Sequence, residues 1–392
     1  MRVRPDYYEK FHCIADACPI TCCQEWKIAV DDDTNRRWKK ILPPDTVPWQ
    51  KKNLSAYTCK KEGIRVIGLD EGHRCPFLAE DKLCRLVSAY GDGVLSETCT
   101  TFPREVHRFS DHEEETLMPC CPAVVDLWRE NPIAFPSING VDETAWKNTQ
   151  KNRDAVEKRL AFLIRERILA LFDTPGVSVE EALLESFYIL LELQKNAPVT
   201  QIMVDEYFSA DTLQKLRSAI AGAKAAIPPL ATWEECNELL QDLAVNYRRE
   251  GLYEPFLTPV ITQAEADSAR MDDAETLLKQ WETFQDAYGT YAVLLCNFLK
   301  NEVFSDLIVP DADDLLEHMV MQMQWIAIEY TAIRQSLFLC WKMGQPLSYA
   351  VVRDYMVIIS RMTGYEEDDI REYLTNSFAE LIWEWGYFAL IV

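Results

Sequence analysis

The sequence predicts a mainly α protein, in which a Cys-rich N-terminal metal-binding domain with little β structure precedes an irregular α-helical bundle. Three observations predict it. Ten of the thirteen cysteines precede residue 122, four of them within Cys13–Cys23. Beyond residue 150, apolar residues recur at three- and four-residue spacing, the pattern of helices with one buried face. Strand signals nearly vanish after residue 130. The expected division is residues 1–130 for the Cys-rich iron–sulfur or zinc domain, 131–150 for a Pro-, Asn- and Gly-rich linker, and 151–392 for an acidic all-α domain.

In chain order, residues 1–30 read as a turn-rich opening followed by a strand, because Trp26, Ile28 and Val30 alternate with Lys27 and Ala29. Asp31-Asp32-Asp33-Thr34 offers N-caps for a helix to about Leu42, which Pro43-Pro44 stops. Ile64–Leu69 reads as a second strand, with Asp70-Glu71-Gly72 turning the chain toward Cys75. Cys84–Tyr90 suits a turn or two of helix ended by Gly91, and Asp111–Glu115 reads as a charged segment. Helical periodicity then marks segments near 151–172, 179–195, 201–221, 231–249, 264–288, 290–304, 312–336, 347–362 and 367–388, separated by breakers such as Pro175-Gly176, Pro228-Pro229 and Pro346. No fixed-period repeat is present, which argues against a solenoid.

At 392 residues the chain can bury one large core or several ordinary ones. No apolar run reaches the roughly 18 to 20 residues that span a bilayer. The opening Met1-Arg-Val-Arg-Pro-Asp has no signal-peptide core, so a cytoplasmic location without membrane attachment is expected. In that reducing compartment, clustered cysteines act as ligands more often than as disulfides. Net charge is -23 and uneven: residues 1–130 hold 19 Lys and Arg against 22 Asp and Glu, leaving 21 against 41 in the rest. Such acidity repels a phosphate backbone, which disfavours nucleic acid, and attracts a cationic substrate such as a protein lysine.

Cys236, Cys296 and Cys340 sit on apolar helical stretches and read as small core residues. The other ten lie beside turn formers, where ligation would add folding free energy. Their spacing is not the paired spacing of a zinc ribbon or finger. Cys75-Pro76 and Cys121-Pro122 show a Cys-Pro context that recurs around iron–sulfur clusters. Cys18-x3-Cys22 begins the triad of a radical-type cluster, but Glu25 stands where its third cysteine would be. Cys22 and Cys23 are adjacent, and in an extended segment they would point opposite ways, toward different sites.

Phe11-x-Cys13-Ile14, Cys18-x-x-Thr21-Cys22-Cys23-x-x-Trp26-x-Ile28, Asp31 and Thr34 closely resemble the flagellin lysine-N-methylase family, within a wider zinc- or iron-chelating group named for its Cys-x-x-Cys-x-x-Cys-Cys motif. The likeness continues through Cys75-Pro-Phe-Leu78, Leu83-Cys84, Leu95-Ser96-x-Thr98-Cys99, Phe102-Pro103-Arg104 and Cys121-Pro122. It covers the N-terminal third. The resemblance selects Cys13, Cys18, Cys22, Cys23, Cys75, Cys84, Cys99 and Cys121 as metal ligands, leaving out Cys59 and ranking Cys120 below Cys121. Eight thiols exceed one cluster's four ligands, so either a second metal is bound or several are structural. The resemblance implies methyl transfer from S-adenosylmethionine to lysine side chains of flagellin, dependent on a [4Fe-4S] cluster, with zinc as the alternative metal.

The residues themselves constrain that chemistry. None of the 13 glycines lies in a Gly-x-Gly-x-x-Gly loop, so S-adenosylmethionine is not expected in a Rossmann-type site and would bind at or near the cluster. Arg104 is the candidate partner for its carboxylate. An acceptor lysine must lose its proton, which calls for desolvation or a base, and no single base stands out. Trp26, Tyr90, Trp325, Tyr330, Trp383, Trp385 and Tyr387 are candidate walls of an aromatic channel. His12 and His73 adjoin cysteines without matching the motif. Two other readings compete: a non-enzymatic chelating scaffold for a protein partner, and an electron-transfer protein that lacks a flavin or nicotinamide signature.

Overall fold

A computed structural model describes residues 1–61, 63–137, 153–270, 274–310, 312–364 and 367–392. The N-terminal third comprises β1 (Arg2–Val3), α1 (Asp32–Trp38), β2 (Thr58–Lys61), β3 (Ile64–Ile67), α2 (Arg85–Tyr90), α3 (Glu97–Thr101), β4 (Arg104–Arg108), β5 (Glu113–Leu117) and α4 (Pro122–Leu127). β2 and β3 form an antiparallel hairpin, with Cys59 opposite Val66. In a three-stranded sheet ordered β1-β5-β4, β1 runs parallel to β5 and β4 antiparallel to it.

The expected strand at Trp26–Val30 forms only in part. Ile28 O accepts from Ile67 N at 2.9 Å and Val30 N donates to Arg65 O at 2.9 Å, giving a single bridge at Ala29 against β3. It is cut short because Asp31 already caps α1, its carboxylate accepting from Thr34 N at 2.7 Å. The helix also stops at Trp38 rather than Leu42. The segment read as merely charged, Asp111–Glu115, contributes most of β5. Its Glu114, Glu115 and Thr116 are buried, so partnered polar groups occupy positions where a sequence reading expects apolar ones.

The remainder is helical: α5 (Arg153–Phe172), α6 (Val179–Lys195), α7 (Gln201–Tyr207), α8 (Ala210–Ala226), α9 (Pro229–Arg249), α10 (Glu254–Arg270), α11 (Ala274–Tyr288), α12 (Ala292–Asp306), α13 (Leu315–Lys342), α14 (Tyr349–Thr363), α15 (Glu367–Phe378) and α16 (Trp385–Ile391). Several boundaries follow capping chemistry. Ser178 and Glu181 make a reciprocal capping box at α6, and Ser209 caps α8, dividing the expected 201–221 segment in two. α13 is the axis of the bundle: its residues His318 through Cys340 are all buried, as befits a helix apolar on most of its faces. Among the described residues no helix is long and apolar enough to cross a membrane.

Two cores result. A small one joins Ile28, Trp38, Tyr57, Ile67, Phe77 and Leu86. The large one runs from Val3 to Val392 and draws Tyr7, Phe11, Leu117, Val124 and Trp128 into the helical bundle. The motif cysteines are divided between these cores. Of the expected linker, residues 138–150 lie outside the described residues, while Ile133 is buried and donates its N–H to Asn297 Oδ1 at 3.0 Å.

Candidate metal centre

Short, irregular segments bring the motif cysteines together. Cys13 and Cys18 flank a single 3-10 turn, Ala15–Ala17, and the Cys18 thiol donates to Ile20 O at 3.3 Å. Cys23 O accepts from Cys75 N at 2.8 Å, and Glu25 N donates to His73 O at 2.7 Å, lacing residues 23–25 to 73–75. Glu25 takes a left-handed backbone (φ 58°) to allow this. Cys84 occupies the N-cap position of α2, Cys99 lies in α3 and donates its N–H to Ser96 Oγ at 3.2 Å, and Cys121 precedes Pro122 at the start of α4. Asp31 accepts from Thr34 N with one oxygen and from Glu97 N at 3.0 Å with the other, tying α1 to α3.

All thirteen cysteines are free thiols. Cys22 is the hub of the motif set. Cys75 lies within electrostatic reach of Cys99, Cys84 and Cys22, and Cys99 within reach of Cys22 and Cys84. Cys121 senses Cys18 and Cys22, and Cys18 senses Cys22 and Cys13. Cys23 is the largest influence on the Cys22 thiol. The expectation that these neighbours point apart assumed an extended segment, and they sit in a turn instead.

Burial pushes the Cys99 thiol up to about 11 and that of Cys121 to about 12, and drives Cys75 well above its ordinary range. Cys22 is raised first by its contact with Cys23, then by burial. These groups are protonated at neutral pH, and a bound metal would have to displace their protons. In donor type and neighbourhood the set suits a thiolate-bound metal. In spacing it is open: among the described residues no three His, Cys, Asp or Glu side chains are close enough to grip one ion. Closing the shell would draw in the loops carrying Cys13–Cys23, which regular structure does not pin.

Arg361 of α14 braces this region from the helical side. It is 5% exposed, donates Nε to Cys120 O at 3.1 Å, Nη1 to Thr21 O at 3.2 Å and Nη2 to Ile20 O at 2.9 Å, and lies over the Trp26 ring at 5.2 Å. Its charge works to lower the thiols of Cys18, Cys22 and Cys120. Trp26 meets Phe102 edge-on at 4.6 Å, and Arg104 lies over Phe11 at 5.2 Å.

The other sequence candidates fall elsewhere. Cys59 is exposed on β2, Cys120 is buried beside Arg361, and Cys236, Cys296 and Cys340 lie on α9, α12 and α13. His12 is exposed. The aromatic candidates are not gathered into one channel: Tyr90 bonds Leu42 O, Tyr330 bonds Glu180, Trp385 bonds Leu184 O and Tyr387 bonds Glu235. Trp26 lies under Arg361, and Trp325 bonds Thr363 O on α14 at 3.0 Å.

Sequence reasoning missed a group of enclosed carboxylates next to the cysteines: Glu105 on β4, Glu302 and Asp306 on α12, and Glu329 on α13. Glu105 accepts from Ser305 Oγ at 2.8 Å and faces His107 Nε2 at 3.3 Å. Glu302 Oε1 accepts from Asn301 Nδ2 at 3.0 Å. Burial, then the neighbouring carboxylates, raises Asp306 to about 8, and burial raises Glu329 to about 7. Glu302 is pushed well up by burial and by Asp306, Glu329 and Glu105. Cys120 senses Glu302 and Glu105, so these two lie within electrostatic reach of it. A signal was available: Glu302 and Asp306 fall one helical turn apart in a largely apolar helix, and Glu329 interrupts a long, buried apolar helix.

The sequence model of the FliB lysine N-methylase C-terminal domain matches residues 165–391. The chain belongs to the FliB lysine N-methylase family. That match covers the bundle from α5 onward, the part in which no motif had been found. The chain is 27% identical over 209 residues to the lysine-N-methylase of Salmonella typhimurium, 52% of this chain and 50% of the relative. A Salmonella choleraesuis lysine-N-methylase matches to the same extent. The flagellar biosynthetic protein FliU of Salmonella muenchen is 30% identical over 138 residues, 33% of this chain and 78% of FliU. The chain thus spans about half the length of the curated lysine-N-methylases it matches. No solved structure matches.

Proposed function

We propose that this chain is a protein lysine N-methyltransferase that takes its methyl group from S-adenosylmethionine, acts on flagellin, and depends on a [4Fe-4S] cluster held by the Cys-rich domain of residues 1–130. One observation carries the reading: in a member of the lysine N-methylase family, motif cysteines from two stretches more than fifty residues apart, Cys13–Cys23 and Cys75–Cys121, lie within electrostatic reach of one another around Cys22. The relatives named lysine-N-methylase support the reaction type, and the flagellar name of FliU supports the substrate. A cytoplasmic location fits a substrate met before export.

Cys22, Cys75, Cys84 and Cys99 lie within electrostatic reach of one another and would hold the cluster. Cys13, Cys18, Cys23 and Cys121 surround the same turn and would hold a second metal, zinc included, or brace the first set. Were one of these four thiols to stay unbound, the cluster would supply an iron with an open position for the amino and carboxylate groups of the methyl donor. The chain's own residues supply the rest. Arg104, whose guanidinium lies over Phe11, would pair with the carboxylate of the methyl donor. Arg361 fixes the backbone of Ile20, Thr21 and Cys120, and its charge favours thiolates at Cys18 and Cys22.

The test is anaerobic incubation of the iron-loaded protein with flagellin and S-adenosylmethionine labelled in its methyl group. Label in flagellin supports the proposal. Colourless protein with stoichiometric zinc, transferring no label, would favour a chelating scaffold instead.

A further inference from the structure

The near-neutral balance of residues 1–130 conceals a strongly basic lobe. Residues 36–61 hold eight Lys and Arg against a single acid, Asp45, in a chain whose net charge is -23. All eight cations are exposed. Arg36 pairs with Asp33 and Lys61 reaches Glu250 at 3.9 Å, whereas among the described residues Lys39, Lys40 and Lys52 form no ion pair. Asn53 Nδ2 donates to Lys39 O at 3.0 Å and Leu54 N to Ile41 O at 3.0 Å, so the end of α1 and residues 51–54 make one continuous surface.

Large apolar side chains stand on the same lobe. Trp49 is 69% exposed and Leu42 68%, at the two ends of a loop that is otherwise firmly held. Gln50 Nε2 donates to Pro44 O and Val47 O, both at 2.8 Å, Arg85 Nη1 to Thr46 O at 2.7 Å, and Tyr90 Oη to Leu42 O at 2.9 Å. Tyr57 Oη donates to Trp49 O at 3.1 Å, and Trp49 takes a left-handed backbone (φ 53°), a strained conformation for a bulky residue. A loop this well bonded that keeps a tryptophan in solvent is shaped to present it and not to bury it. Beneath it, Trp38 and Tyr57 pack on Phe77 at ring distances of 5.8 and 5.2 Å, in the small core against which Cys23, Cys84 and Cys99 also rest.

We infer that this lobe, residues 36–61, is a docking surface for an acidic polypeptide segment that carries apolar side chains. Charge complementarity selects the sign of the partner, since the lobe is a strongly basic stretch of an acidic chain. An exposed Trp and Leu ringed by cations form the apolar anchor and polar rim of a protein interface. Six of the eight cations are Lys and not Arg, and the aliphatic Leu42 gives a base nothing to stack on, which sets nucleic acid aside. An extended anionic surface such as a membrane would also meet the acidity of the remaining chain, whereas a short segment meets the lobe alone. Assigning the docked segment to the methyl-accepting protein rests on the lysine methyltransferase reading above, and the docking of an acidic segment does not.

The test is calorimetric titration of the full chain with a random glutamate–tyrosine copolymer, against poly-L-glutamate of equal length. Both are expected to bind, the copolymer at least about tenfold more tightly, because its tyrosines meet Trp49 and Leu42. Trp49→Gly, which suits the left-handed backbone, should erase that difference. The triple reversal Lys39→Glu, Lys40→Glu and Lys52→Glu should abolish binding of both polymers. All four positions are exposed, and the two-polymer comparison on the unaltered chain decides the question without any variant. Absence of copolymer binding, equal affinity for the two polymers, or binding unchanged in both variants would overturn the inference. So would tighter binding to phosphatidylserine vesicles or to oligodeoxythymidylate, which would reassign the lobe to a membrane or to nucleic acid. Copolymer binding without methyl transfer to flagellin would leave the docking surface standing and remove only its assignment to the substrate. Methyl transfer without copolymer binding would do the opposite.

Discussion

Replacing Arg361 by Met removes the strut between the helical bundle and the cysteine turn. The side chain is 5% exposed and makes three hydrogen bonds of 2.9 to 3.2 Å to the carbonyls of Ile20, Thr21 and Cys120. Hydrogen bonds to a charged donor contribute about 1.5–3 kcal/mol each, so a simple sum approaches ~7 kcal/mol. Recovering the desolvation of a buried guanidinium returns several kcal/mol of that, and Met fills much of the volume. A net loss of about 3–4 kcal/mol is expected, because three enclosed carbonyls are left without donors. Arg361→Lys keeps the charge but cannot serve three acceptors in a fan, so it falls between the two. A second effect follows from the charge: losing it raises the thiols of Cys18, Cys22 and Cys120 further. Urea unfolding and the rate of thiol modification near pH 8 measure the two consequences. A stability change below about 0.5 kcal/mol, typical of surface positions, with unchanged thiol reactivity would refute this role for Arg361.

Arg165 makes a bidentate contact with Glu114 (2.5 and 2.7 Å) while bonding Phe304 O at 2.8 Å, all of it buried. Arg165→Met strands the Glu114 charge and is expected to cost about 3–5 kcal/mol in chemical unfolding, more than the double variant with Glu114→Gln. Asp31→Ala removes both the N-cap of α1 and the tether to Glu97, for a loss of about 1–2 kcal/mol in the same assay. Asp306 and Glu329 hold protons in the folded state up to about pH 8 and about pH 7, against ordinary values of 3.8 and 4.5. The folded state therefore binds the extra protons, so their contribution to stability is complete below about pH 4 and is lost as pH rises through 8. Melting temperatures of the metal-free protein should fall across that window, and Asp306→Asn should flatten the fall; an unchanged slope would count against these assignments.

Periodicity made the bundle legible. The stripe in Leu160, Leu163, Ile168 and Leu171 is the buried or half-buried face of α5, and Ser178, Ser209 and Ser348 cap helices at positions their side chains suit. The cysteine set was selected through motifs, since composition alone could not separate Cys121 from Cys120 one residue away. The β4–β5 hairpin was not legible. Its Arg-Glu-Val-His-Arg and Glu-Glu-Glu-Thr-Leu strands lack apolar alternation, because Glu114 is neutralised by Arg165 from α5, more than fifty residues on. Tertiary pairing there overrides local preference. Whether Cys22 and Cys23 lie in a turn or an extended segment is set by tertiary pairing of residues 23–25 with 73–75, which the local sequence does not contain. The buried carboxylates were missed for a related reason: Glu105, Glu302, Asp306 and Glu329 come from three elements, and Glu105 meets Ser305 of α12 only when the hairpin docks there.

The central claim is that a metal cluster on the Cys22–Cys23 turn enables methyl transfer to protein lysines. It is tested most directly by mass spectrometry of flagellin after anaerobic incubation with S-adenosylmethionine and either the iron-loaded chain or its Cys75→Ser and Cys99→Ser variants. The account predicts lysines heavier by one methylene for each methyl transferred, formed by the unaltered chain and lost in both variants. Unmodified flagellin from a chain whose cluster absorbance is intact, or equal modification by the serine variants, would contradict it.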